Sequence, residues 1–154
     1  MACWRPRPLM TRRRAVLGGA LALLAPAAAV ADVAPLSFEQ LYKSFGVRGY
    51  EFSDLVLALD GKPVFMRGYM APPLKPESRF FVLTRQPLAL CPFCQSDAEW
   101  PVDIVVIYLK SASPMVSAGE QVVVTGRLEV GSWTDPESGF VSQIRISDAS
   151  FRRG

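Results

Sequence analysis

Two strand-like segments, each interrupted by a glycine, constrain the fold of this chain more than any other feature. Residues 64–70 and 122–128 share one pattern, in which apolar residues alternate with others and Gly68 or Gly126 takes the third apolar position. A glycine inside a strand has no side chain to pack, so it usually marks a bulge or a sharp bend. Two such strands let a small sheet curl and close on itself. We therefore predict a small, strongly curved β-barrel, with an open β-sandwich as the alternative.

Short apolar segments separated by turn residues account for most of the remaining sequence after residue 50. They predict about six strands, with a two-residue hairpin at Asp60-Gly61 and a turn at residues 135–139. The predicted strands are residues 55–59, 62–70, 80–84, 104–109, 121–130 and 141–147. The strand at 104–109 is almost wholly apolar and β-branched, which is typical of a central strand covered on both faces. The fold class that follows is mainly β, a small closed or partly open OB-like barrel of five strands.

A different pattern precedes the strands and predicts one short N-terminal helix over residues 37–46. Ser37 and Gln40 stand at the spacing of a capping box. Apolar residues then recur at helical spacing up to the glycine that ends the pattern, namely Phe38, Leu41, Tyr42, Phe45 and Gly46. We expect about two turns of helix, with the aromatic side packed on the barrel.

The first thirty-one residues carry the pattern of an export signal. Arg12 and Arg13 stand before an apolar run over residues 15–25, which is followed by small residues. Basic, apolar and small residues in that order are typical of a secretory signal peptide. The adjacent arginines after Thr11 make the segment similar to a twin-arginine signal.

The small residues at 29–31 fit a cleavage site and set the predicted domain boundaries. We predict a signal peptide over residues 1–31 and a single domain over residues 32–154. The apolar run is shorter than the roughly 20 residues that a bilayer span needs, so we expect no stable membrane span after signal removal. An uncleaved anchor is the alternative.

Charge and composition exclude several functions. Of 17 basic residues, five precede Asp32, which leaves 12 against 14 acidic residues in the body of the chain. A body with a slight negative excess is unsuited to binding nucleic acid, because phosphate contacts need clustered Lys and Arg. The chain has no His, which removes Ser-His-Asp and Cys-His catalysis and imidazole metal ligands.

The chain also resembles a family of small exported bacterial proteins of unknown function with an OB-like barrel. The resemblance runs over residues 61–126 and rests on several short motifs. They are residues 61–64 (Gly-Lys-x-Val), 68–72 (Gly-Tyr-Met-Ala-Pro), 80–83, the Cys91-x-x-Cys94 block, 100–101 (Trp-Pro) and 122–126. The resemblance implies a fold and an exported location, and it implies no reaction.

The block Cys91-x-x-Cys94 is the segment with the most chemical content, and three interpretations of it stay open. The first is a structural disulfide, although so small a loop stabilises a domain by only about 2 kcal/mol. The second is a redox pair, with Cys91 attacking and Cys94 resolving. Only 19 residues separate Cys94 from Pro114, which is too few for a thioredoxin-type crossover.

The third interpretation is a metal site, because two cysteines at this spacing supply half of a tetrahedral zinc site. Asp97 and Glu99 are close enough in sequence to add oxygen ligands, and a second copy of the chain could add two thiolates. Copper(I) is the alternative metal, since it prefers soft sulfur ligands. The methionines available for it are Met66, Met70 and Met115, although methionine is more often core filler.

These observations favour an exported, non-enzymatic accessory or binding protein of the periplasm. The dithiol would be its metal-binding or redox-sensitive site, and its partner an exported protein or an envelope membrane complex. The alternative is a small periplasmic thiol-disulfide oxidoreductase. A third hypothesis is a barrel that binds an oligosaccharide or nucleotide, as OB-like surfaces commonly do. For that role Trp100 or Trp133 would have to be exposed.

Overall fold

Two strands that are far apart in sequence pair with each other and thereby close the barrel. A computed structural model of the chain describes residue 1 and residues 32–46, 49–72, 79–87, 101–111, 116–117 and 119–154. The described elements are β1 (Ala34–Leu36), a 3₁₀ turn (Phe38–Gln40), β2 (Tyr42–Gly46), β3 (Gly49–Phe52), α1 (Asp54–Leu59), β4 (Pro63–Met70), β5 (Phe80–Thr84), β6 (Ile104–Leu109), β7 (Gln121–Thr134) and β8 (Val141–Arg153).

Six of these strands form one sheet in the order β1-β4-β5-β6-β8-β7, and a further pairing of β4 with β7 closes five of them into a ring. The ring pairings are antiparallel except for β6 with β8, which is parallel. Strand β1 lies outside the ring and runs parallel to β4. The predicted fold class, a mainly β and barrel-like domain, is therefore confirmed. Strands β2 and β3 form a separate two-stranded sheet.

The two interior glycines lie where neighbouring strands come too close for a side chain. Strands β4 and β7 pair so that Val64 faces Gly126 and Gly68 faces Val122. A Cβ on Gly68 would lie 2.7 Å from the Leu83 side chain and 2.8 Å from the carbonyl oxygen of the following residue in β5. The register of β7 against β8 also shifts at Gly126. The predicted bulge is thus found at Gly126, whereas at Gly68 the structure shows a close approach of β5 and no register shift against β7.

Alternating side chains of the ring strands fill its interior. The residues of this core include Val64, Met66, Met70, Phe81, Leu83, Val105, Ile107, Val122, Val124, Leu128, Ile144 and Ile146. Met66 and Met70 are fully buried in this core, which fits the core-filling role of methionine. Val82 and Ile104 are buried in a second cluster on the other side of their strands. The prediction of a central strand covered on both faces is thereby confirmed for β6.

The predicted N-terminal helix over residues 37–46 is wrong beyond its first turn. The Ser37 amide does donate to Gln40 Oε1 at 3.0 Å, as a capping box requires. Only one 3₁₀ turn follows, and β2 begins at Tyr42. The aromatic residues pack across a strand pair instead, because Tyr42 stacks on Phe52 of β3 with 5.4 Å between ring centroids.

The predicted strand at residues 55–59 is a helix, α1. The Ser53 hydroxyl accepts from the Val56 amide at 3.2 Å and caps it, and the following leucines are good helix formers. Short apolar runs do not distinguish helix from strand by periodicity. Gly61 therefore turns the chain from α1 into β4, with φ at +75°, and no hairpin forms.

The other predicted strands are confirmed, and two of them are longer than predicted. Strand β7 continues to Thr134 and β8 to Arg153, joined by the predicted turn. In that turn Asp135 Oδ1 accepts from the amide of Glu137 at 2.8 Å. None of the helices in the described part of the chain has the length and apolar character of a membrane span.

Candidate binding face on the barrel

The dithiol and its candidate metal ligands, as well as several other predicted segments, lie outside the described residues. These are Cys91, Cys94, Asp97 and Glu99, together with Trp100, Met115 and the signal segment over residues 2–31. Within the described ranges, no group of three or more Cys, Asp or Glu side chains is arranged to hold a metal ion. The metal and redox interpretations of Cys91 and Cys94 therefore stay predictions.

The described residues form instead an aromatic cluster on the outside of the barrel, which we call the aromatic face. It consists of Phe80 on β5, Tyr108 on β6, Trp133 at the end of β7 and Phe140 beside the β7–β8 turn. Phe80 lies directly opposite Tyr108 in the sheet, and their ring centroids are 5.3 Å apart. Phe140 lies 5.5 Å from Phe80, and Trp133 meets Tyr108 edge-on at 5.1 Å. The four rings contact one another in series, with Phe80 buried, Tyr108 and Phe140 half-buried and Trp133 exposed.

Trp133 is the exposed end of this surface and is held in place by Arg145. The Arg145 guanidinium lies 5.0 Å from the centre of the Trp133 ring, within the range of a cation–π contact. It also donates to Glu129 Oε2 at 2.8 Å and to the Gly131 carbonyl oxygen at 3.0 Å. Trp133 is nevertheless 37% exposed. One large aromatic side chain is thus both fixed in orientation and accessible.

The charges of Arg145 and Glu129 beneath the aromatic face balance each other. Burial by itself raises the pKa of Glu129, but hydrogen bonds from Ser147 and Arg145 and the charges of Arg145 and Arg127 outweigh it, so the pKa lies below its usual value. Glu129 therefore stays ionised near neutral pH and keeps Arg145 in position. The Arg145 side chain is only 12% exposed, which is typical of a structural ion pair.

The Tyr108 hydroxyl is the one polar atom of the face that the fold leaves unsatisfied. It is buried and makes no hydrogen bond of ordinary geometry within the described part of the chain. Burial, and next the nearby Asp135 carboxylate, raise the pKa of Tyr108 far above its usual value, so the hydroxyl keeps its proton. An unpaired buried donor is rare in native proteins, and the neighbouring Asp135 carboxylate is the group that its proton can approach.

The sequence contained only part of the signal for this face. Trp133 was a candidate for ligand stacking, and its exposure is now established. The sequence predicts that Phe80 and Tyr108 lie in strands. It does not show that the two residues are neighbours, because their pairing depends on the register of β5 against β6. Arg145 and Glu129 likewise face each other only through the register of β7 against β8.

No family model matches the chain, and no curated protein matches it. Among solved structures, the chain is similar to a DUF3299 family protein from Pseudomonas aeruginosa PAO1, with a TM-score of 0.46 and 15% sequence identity. The similarity covers 80% of this chain and 98% of that one. A similarity of this degree does not extend to activity, so function must be argued from this chain's own residues.

Proposed function

We propose that this chain is an exported binding protein, not an enzyme, and that its aromatic face holds an uncharged oligosaccharide against Trp133. The observation that carries the proposal is a tryptophan that is 37% exposed although Arg145 and Glu129 fix its position. Large aromatic side chains are favoured in binding sites because they supply contact area at a low entropic cost. An orientation fixed before binding lowers that cost further.

The position of the face in the barrel supports a polymer as ligand. In five-stranded OB-like barrels, ligands lie over the second and third strands and beside the loop between the fourth and fifth. The corresponding strands here are β5 and β6, which carry Phe80 and Tyr108, and the corresponding turn precedes Phe140. The aromatic face therefore lies where such barrels bind oligonucleotides and oligosaccharides.

Charge favours the sugar over the nucleic acid. The chain from Asp32 onward has more acidic than basic residues, and Arg145 is already neutralised by Glu129 at 2.8 Å. A polyanion would find no free cation among the residues of the face. A sugar ring presents flat C–H surfaces to the exposed Trp133 ring and brings no charge that the face would have to balance. An uncharged oligosaccharide thus fits both the rings and the charge.

Intrinsic tryptophan fluorescence and calorimetry of the purified protein test the proposal. The probes are soluble cello- and chito-oligosaccharides of six units. We expect saturable binding that Trp133→Ala weakens by about tenfold, which corresponds to about 1.4 kcal/mol. The matched control is Phe45→Ala, which removes another exposed aromatic ring, 69% exposed on β2, and should leave affinity unchanged. Failure of both probe series to bind, or equal binding by Trp133→Ala, would refute the proposal.

Export to the periplasm and the dithiol belong to the same proposal. The segment over residues 1–31 directs export, and Cys91 and Cys94 form a metal-binding or redox-sensitive pair. Metal analysis of the purified protein and of Cys91→Ser, with the reduction potential of the pair, separates the alternatives. Stoichiometric zinc or copper lost in the variant supports a metal site. Turnover in an insulin-reduction assay would instead support the alternative function, a thiol-disulfide oxidoreductase.

A further inference from the structure

A second surface feature, which shares no residue with the aromatic face, combines two arginines with an apolar floor. It lies beside β4, where β1 takes the place of a ring strand. Strand β1 pairs with residues 64–66 of β4, while β5 pairs only with Tyr69 and Met70 at the other end. The resulting cleft has a volume of about 380 Å³. We call it the arginine cleft.

The lining of the arginine cleft divides into an apolar floor and charged side chains. Pro35, Leu36 and Phe65 supply apolar surface, and the charged residues are Arg67, Arg85 and Glu39. Sites for small ligands typically combine an apolar lining with a few polar groups that fix orientation. This composition fits a ligand with an apolar body and one charged end.

Both arginines are available to a ligand. Arg67 is exposed on β4 and has no ion pair or hydrogen bond within the described residues. Arg85 has two long contacts, 3.9 Å to Glu39 Oε1 and 3.7 Å to Asp103 Oδ1, and all three side chains are at least 43% exposed. Exposed ion pairs of this kind contribute little free energy. A bidentate anion can therefore displace them without a large cost.

The charge of the cleft favours a single negative charge. The lining residues include two guanidinium groups and one carboxylate, that of Glu39, so their summed charge is +1. Asp103 lies outside the lining and offsets part of the Arg85 charge at 3.7 Å. Hydrogen bonds from its own backbone and from Ser37 lower the pKa of Glu39, so this balance holds near neutral pH. A dianionic phosphate would bring one more negative charge than the cleft balances. A carboxylate matches the excess and suits the planar guanidinium fork.

We propose that the arginine cleft binds an organic carboxylate, with the carboxylate between Arg67 and Arg85 and an apolar body on Phe65 and Pro35. The ligand is either a small free acid or the carboxyl terminus of a peptide, since both present the same chemistry. This site is independent of the aromatic face and of the sugar-binding function.

Two probe pairs separate these sources. The first is 3-phenylpropionate and its amide, and the second is N-acetyl-Ala-Ala-Phe with a free or an amidated carboxyl terminus. Calorimetry on the full purified protein should show saturable binding of at least one acid, and at least tenfold weaker binding of its amide. Binding of 3-phenylpropionate identifies a free acid as sufficient, and binding of the peptide acid alone identifies a peptide terminus.

Charge-matched variants locate the site. Arg67→Gln and Arg85→Gln should each weaken acid binding at least tenfold, and Glu39→Gln should strengthen it. The control is Arg152→Gln, which removes the same charge from an exposed position on β8 that does not line the cleft. Trp133→Ala should also leave acid binding unchanged. Circular dichroism verifies that each variant is folded.

Four outcomes would overturn the proposal. Three of them are the absence of saturable binding by both acids, equal binding of acids and amides, and equal losses in Arg67→Gln and Arg152→Gln. The fourth is tighter binding of inorganic phosphate than of either acid, because the summed charge of the lining residues balances one negative charge and not two.

Discussion

The substitution Gly126→Ala tests the central packing argument, that close approach of strands requires glycine in the ring. A Cβ at this position would lie 2.6 Å from both the Ser147 carbonyl oxygen and Ile146 Cγ2, and 3.0 Å from the Ala149 Cα. Two of these three atoms belong to the backbone of β8. That strand is paired on both sides, with β6 and with β7, so it cannot move away without disturbing the ring.

The expected cost follows from this geometry. Inserting a methyl group into a well-packed interior costs roughly 1–3 kcal/mol, and contacts with backbone atoms place Gly126→Ala at about 3 kcal/mol. For a domain of this size that lowers the melting temperature by about 10 °C. Gly68→Ala should cost somewhat less, because only one of its three near atoms, the Thr84 carbonyl oxygen, belongs to the backbone and the other two belong to the Leu83 side chain.

Urea unfolding followed by circular dichroism measures the effect, and Gly46→Ala is the matched control. Gly46 also lies in a strand, but a Cβ there would meet nothing within 4 Å and its φ is not positive. We expect the control to change stability by less than about 0.5 kcal/mol. A Gly126→Ala variant as stable as this control would refute the argument that steric crowding selects glycine.

Three further predictions concern single interactions. Ser53→Ala should destabilise the protein by about 1 kcal/mol in urea unfolding, because its hydroxyl caps α1 and also donates to the Gln40 carbonyl oxygen; an unchanged midpoint would contradict the capping role. Tyr108→Phe should leave stability unchanged or raise it by up to about 1 kcal/mol, since it removes a buried hydroxyl without a hydrogen bond of ordinary geometry; a loss above 1 kcal/mol would show that the hydroxyl is satisfied. Because the pKa of Glu129 is lower in the folded state than its ordinary value of 4.5, its stabilising contribution is complete above that pH and is lost as the pH falls through the folded pKa. The stability difference between wild type and Glu129→Gln should therefore shrink in acid, and a difference independent of pH would contradict the ion pair with Arg145.

The short helix α1 and the N-terminal segment show where local sequence patterns fail. The apolar pattern of residues 55–59 fits a strand no better than it fits a helix. The Ser53 cap decides in favour of the helix. After the 3₁₀ turn, Tyr42 stacks on Phe52 instead of continuing a helix. In both places a contact outside the apolar run overrides its apparent period.

The candidate site was the least predictable part of the described chain. Trp133 was recognisable from the sequence as a candidate residue. Its ability to contact a ligand depends on its 37% exposure, which only the structure shows. The arginine cleft has no sequence signature, because Arg67 and Arg85 meet beside the segment around Pro35 only after β1 pairs with β4. Charge counts along the sequence do not show which charged side chains lie close together in the folded protein.

Local chemistry in the sequence was sufficient to establish the mainly β character, the inward positions of Val64 and Met66, and the need for glycine at 68 and 126. Those properties follow from side-chain alternation and from the missing Cβ of glycine. Both can be recognised from consecutive residues of the sequence. Only the tertiary structure decided that β4 pairs with β7 to close the ring, and which side chains share the aromatic face and the arginine cleft. The physical reason is that strand register is a long-range property: a shift of one residue turns every side chain to the opposite face.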